Sequence, residues 1–61
     1  MKNYELNQKV IWRVEEFDGT TTESAVITEV HPDHCIATTE DGMNLWIDED
    51  TDEDFYIEEE D

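Results

Sequence analysis

Hydrophobic and polar positions alternate over residues 9–15. Val10, Trp12 and Val14 fall on one side, Lys9, Arg13 and Glu15 on the other, with Ile11 the exception. A period of two carried by β-branched and aromatic residues predicts a strand. Phe17 breaks the parity, which predicts a bulge or the start of a turn at Asp18-Gly19. Residues 20–30 are rich in Thr, Val and Ile, and their centre, Ala25-Val26-Ile27, is apolar on both faces, as in a strand near the middle of a sheet. His31-Pro32-Asp33-His34 predicts a type I turn, because proline presets φ at the second position. Residues 35–39 predict a short third strand. Asp41-Gly42 then predicts a type I′ hairpin, whose central residues need positive φ. In the fourth strand Met43, Leu45 and Ile47 form the inward set, alternating with Asn44, Trp46 and Asp48. A last strand, Phe55-Tyr56-Ile57, follows an acidic connection.

Five short strands separated by turn signals predict an all-β fold, a single small five-stranded antiparallel barrel with an acidic C-terminal end. Closure of a barrel also removes the exposed edges that a small sheet must manage. The domain is expected over residues 1–57, with 58–61 an acidic tail that needs no fixed structure. The succession Val10-x-Trp12, Phe17-Asp18-Gly19, Ala25-Val26-Ile27-x-x-Val30, Asp41-Gly42 and Leu45-Trp46-Ile47 resembles the strand rhythm of SH3-like barrels, the Tudor kind especially. That resemblance covers most of residues 4–57. It implies a small barrel that recognises a basic or methylated peptide through aromatic side chains.

Charge changes the picture more than length does. The chain has 61 residues, 19 Asp and Glu against three Lys and Arg, and a net charge of −16. A domain of this size buries only roughly 60 % of the surface of its unfolded chain, so its stability margin is thin. Self-repulsion on this scale opposes compactness, and solubility needs a net charge of only about 2–8. The excess therefore points to a use. Anionic nucleic acid and anionic membrane are poor direct partners, whereas basic proteins, including those that hold nucleic acid, are good ones. No run of 18 apolar residues exists, and the first residues lack the apolar core of a signal peptide. The single cysteine, Cys35, permits no internal disulfide, so a reducing, cytoplasmic setting is expected.

The charge is also polarised. Twelve of the 19 carboxylates lie from Glu40 onward, and all three basic residues lie within the first 13 positions. In an extended segment, residues two apart project to one side about 6.6 Å apart. Asp48, Asp50, Asp52 and Asp54 would then form a negative row spaced like the phosphates of a nucleic-acid strand. In size and charge the chain resembles the small acidic DNA-mimic inhibitors made by phages and mobile elements, although no motif assigns it to one such family. The partner-binding residues expected on this reading are Asp48, Glu49, Asp50, Asp52, Glu53, Asp54, Glu58, Glu59, Glu60 and Asp61, with Trp46 and Tyr56 as aromatic anchors.

Other chemistries fit less well. Asp48-x-Asp50-x-Asp52 opens like a calcium loop, but Glu53 stands where the loop's sharp turn needs glycine. His31, Asp33, His34 and Cys35 have zinc-binding side chains without a second half-site. No nucleophile–base pattern or glycine-rich phosphate loop is present. No enzymatic activity and no cofactor are expected.

Overall fold

A computed structural model describes residues 2–58 of the chain. The strands are β1 (Lys9–Glu16), β2 (Gly19–Val30), β3 (Cys35–Thr39), β4 (Asn44–Ile47) and β5 (Phe55–Ile57), with a single-turn 3-10 helix, Asp52–Asp54, before β5. They form one antiparallel sheet in the order β4-β3-β2-β1-β5. β2 takes the central place that its two-sided apolar centre predicts. β4 and β5 are the two edges, and no backbone ladder joins them among the described residues. The all-β, five-stranded antiparallel fold is therefore present; the closed barrel is not formed through hydrogen bonds.

One face of the sheet carries the core. Val10, Ala25, Ile27, Cys35, Ala37, Leu45, Ile47 and Phe55 are buried, and their registers place them on the same side: Val10 opposite Ala25, Ile27 opposite Ala37, Cys35 opposite Ile47. Trp12 and Ile57 pack against this cluster, and Trp12 stacks on Phe55 with centroids 6.2 Å apart. Among the described residues no helical layer lies over that face, so complete burial of Val10, Ile27, Ala37 and Ile47 requires the sheet to curl about its own inner side. A shift of register between Ile27 and Glu29 supplies local bending in the longest strand.

Three local expectations are corrected. Among the non-glycine residues described, only Asn7 has positive φ, so Asp41 cannot occupy a type I′ turn. Instead the Gly42 N–H donates to the Thr39 carbonyl and Gly42 alone takes φ of 87°. That is a type I turn followed by a glycine bulge, the usual solution when one extra residue enters the loop. Met43 closes the hairpin opposite Thr39, just before β4, and its side chain is exposed instead of facing the core. At residues 31–34 the closing bond runs from the His31 N–H to the His34 carbonyl, opposite to that of a type I turn.

Tyr4 belongs to the core although it precedes every strand. The segment that carries it is tied to β2 by Asn7 N–H donating to the Ile27 carbonyl and Ile27 N–H donating to the Gln8 carbonyl. At the other extreme, residues 15–24 are all exposed. The outer part of the β1–β2 hairpin therefore stands clear of the core as a two-stranded arm, with Phe17 fully exposed in its tip.

Candidate acidic binding surface

The acidic connection between β4 and β5 does not run extended. The Asp48 carboxylate accepts the backbone N–H groups of Asp50 at 2.9 Å and Thr51 at 3.1 Å, while Thr51 Oγ1 accepts the Asp48 N–H at 2.9 Å. Short polar side chains that bond their own backbone favour a turn over a strand. The 3-10 helix then follows directly, so the evenly spaced row of Asp48, Asp50, Asp52 and Asp54 is not formed. The Thr51 N–H, joined by the Asp50 N–H and the Trp46 indole, outweighs partial desolvation and holds the Asp48 carboxyl below the ordinary range.

Asp52 is engaged inward as well. Its Oδ1 accepts the Tyr4 hydroxyl at 2.7 Å and the Lys2 N–H at 3.1 Å, and lies 3.5 Å from Lys2 Nζ. Lys2 Nζ also donates to the Asp52 carbonyl at 2.8 Å. Desolvation is the largest single influence on Asp52 and pushes its pKa up, but the Tyr4 and Lys2 contacts together overcome it and leave the pKa lowered. Burial first, then the bond to Asp52, drives the Tyr4 phenol far above its usual range.

Asp48 and Asp52 thus serve the fold. Glu49, Asp50, Glu53 and Glu58 are exposed, and Asp54 is half-buried beside β1. Glu59, Glu60 and Asp61 lie outside the described residues.

The Asp52 cluster has a pH consequence. A carboxyl whose folded pKa is lowered contributes stability that is present above its unfolded value, about 3.9, and is lost as pH falls through the folded value. Tyr4→Phe is therefore expected to cost about 1 kcal/mol at neutral pH and to move acid unfolding to higher pH. Urea titrations between pH 2.5 and 7 check this; an unchanged acid limb would remove Tyr4 from the cluster.

Trp46 and Tyr56 have different neighbours. Trp46 is on β4 and Tyr56 on β5, at opposite edges with three strands between them. Trp46 is 54 % exposed and outside the core. Its ring stacks on His34 at 3.7 Å between centroids and 7° between planes, and His34 in turn stacks on His31 at 4.4 Å. The Trp46 Nε1 donates to Asp48 Oδ2 at 3.0 Å. Carboxylates flank the imidazoles too, Asp33 at 2.7 Å from His34 and Glu29 at 3.1 Å from His31. The bond from His34 is the main reason the Asp33 carboxyl lies below its ordinary range. This three-ring ladder was not legible in the chain, because it depends on where the 31–34 turn sits beside β4. Tyr56 instead lies beneath the Arg13 guanidinium, 5.6 Å from the ring centre, a cation–π distance. Arg13 also pairs with Glu15 at 3.4 Å.

A cleft of roughly 560 Å³ opens between β1 and the 3-10 helix, lined by Trp12, Arg13, Val14, Glu15, Glu53 and Asp54. Three carboxylates face one already paired guanidinium there, over the half-buried indole of Trp12. The arrangement suits a cationic group in contact with an aromatic surface. It holds two expected residues, Glu53 and Asp54, together with Trp12 and Glu15, which no motif in the sequence marks as partner-binding. No protein-family model matches the chain, and neither does any curated protein or solved structure compared with it.

Proposed function

We propose that this protein binds the basic surface of a nucleic-acid-binding protein, occupying it in place of the phosphate backbone and inhibiting or sequestering that partner. The observation that carries the reading is the imbalance between exposed carboxylates and available cations. The net charge is −16. Lys2 is paired with Asp52, and Arg13 with Glu15 and Tyr56. Glu49, Asp50 and Glu53 on the β4–β5 connection, and Glu15, Glu16 and Asp18 on the hairpin arm, remain exposed. Such a surface attracts a basic groove at long range and repels nucleic acid. Because residues 48–54 turn, the mimicry rests on the density of charge over a folded surface and not on a linear row of aspartates.

The test is competition. A basic DNA-binding partner recovered at low salt is expected to release its DNA when this protein is added. The affinity for the partner is expected to fall on the order of tenfold or more between low and high salt. A ternary complex of partner, DNA and this protein would overturn the mimic.

An SH3-like adaptor for one basic or methylated peptide is the second reading, favoured by the exposed Trp46 held in place by Asp48. The two rank substitutions oppositely. Joint neutralisation of Glu49, Asp50 and Glu53 should weaken a mimic more than Trp46→Ala does, and an adaptor less. Asp52 is left intact in this comparison, since its loss would perturb Tyr4 and Lys2 as well.

A further inference from the structure

β1 is paired on both sides for only part of its length. On one side β2 accompanies it from Lys9 to Glu16. On the other, β5 covers only Val10, Ile11 and Trp12, opposite Ile57, Tyr56 and Phe55. Beyond Trp12 the chain that would continue β5 has already turned into the 3-10 helix. The direction of the uncovered groups follows from alternation along an antiparallel strand. The Lys9 carbonyl accepts the Glu58 N–H, on the β5 side, whereas the Gln8 carbonyl accepts the Ile27 N–H, on the β2 side. Arg13 and Glu15 share the parity of Lys9. Their N–H and C=O groups therefore point to the β5 side; the Trp12–Phe55 pair ends the ladder between Arg13 and Asp54, so the groups left beyond it are the Arg13 carbonyl and the Glu15 N–H and carbonyl, beside the cleft lined by Trp12, Arg13, Val14, Glu15, Glu53 and Asp54. Arg13 Nε is in addition buried without a hydrogen-bond partner.

An unpaired edge of this kind is a template for another strand. We propose that the notch takes an extended basic segment of the partner, which adds to the β1 edge in line with β5. The charge around the notch selects the occupant: Glu15, Glu53 and Asp54 face it with Arg13 the one opposing cation, and Arg13 is committed to Glu15 and Tyr56. A second copy of this chain would bring its own −16 to the same edge, so like-charge repulsion disfavours self-pairing there. Backbone pairing supplies affinity, and the flanking carboxylates select lysine or arginine at alternate positions. This inference rests on the basic-partner reading and adds a defined contact to it.

The probe is a seven-residue peptide of alternating lysine and valine, with two analogues N-methylated at either the lysines or the valines. The expected results are slowed amide exchange at Glu15 on adding the parent peptide, and a loss of about tenfold in affinity for one analogue but not the other, because only one set of amides faces the edge. Glu15→Pro, which removes an outward N–H while leaving the β2 ladder intact, should weaken the parent peptide more than Glu15→Gln does. Equal binding of both analogues, or no protection at Glu15, overturns the notch. So does protection of that amide without peptide in a species that sediments as a dimer. Protamine at low salt separates the two levels. If protamine binds while the notch tests fail, only the notch is lost; if it does not bind, the basic-partner reading fails with it.

Discussion

Phe55→Ala is expected to remove at least about a third of the folding stability at 25 °C. A 61-residue domain has a stability of roughly 3–9 kcal/mol, at about 0.05–0.15 kcal/mol per residue. Truncating a buried phenylalanine costs about 3–5 kcal/mol, through lost transfer energy and the cavity left behind. Phe55 is 2 % exposed, among the largest fully enclosed side chains, and stacks on Trp12. It also anchors a strand of only three residues, so its loss releases β5 and the acidic connection before it. Phe17→Ala is the matched control: the ring is fully exposed in the hairpin tip, and the change should stay within about 0.5 kcal/mol. Chemical denaturation of the two variants beside the parent checks both. Comparable stabilities for the two would mean that the core does not lie where Phe55 places it.

The second large effect is a rise in stability with salt. At 10 mM ionic strength charges interact over about 30 Å, and at 1 M over about 3 Å. The longest dimension of the molecule is 35 Å, so at low salt nearly every carboxylate senses the others. Screening should relieve that repulsion far more than it weakens the few surface ion pairs, whose individual worth is about 0–1 kcal/mol. Each kcal/mol regained is expected to raise the melting temperature by about 4–8 °C in a domain of this size. Thermal melts from 10 mM to 1 M sodium chloride measure this; a flat or falling melting temperature would mean that self-repulsion is not a major cost. The direction is opposite to that expected for partner binding, which salt weakens. A change in binding with salt therefore cannot be mistaken for a loss of fold.

The strands were legible because their side chains report burial locally. Val10 and Trp12 declare an inner face of β1 through a period of two, and Cys35 to Thr39 and Phe55 to Ile57 are bounded as the pattern predicts. Met43 has the same parity but lies outside the core, because it sits at the hairpin's end, before β4 begins, where its side chain stays exposed. The acidic connection was misjudged for a different reason. Counting charges at every second position presumes an extended backbone, whereas Asp48 and Thr51 carry oxygens suited to capturing nearby N–H groups, which bends the chain. Asp-x-x-Thr was the available signal. The partnership of Tyr4 with Asp52 spans 48 positions, and nothing in the neighbourhood of either residue points to the other. The notch was invisible for the same kind of reason. It is defined by where β5 stops along β1, a property of register and not of either strand alone.

The hairpin arm has one more consequence. Ten successive residues contribute nothing to the core, so the arm is held chiefly by its own ladder to β2. Segments of that kind open at a small fraction of the global free energy. The arm that offers the unpaired edge is thus also the softest part of the molecule, and seating a third strand would stiffen it. Recognition there carries an ordering cost, which favours contacts that are quickly made and quickly undone. The same softness makes residues 16–19 the place where the chain can be lengthened, cut or fused to a cargo while the curled sheet beneath stays intact.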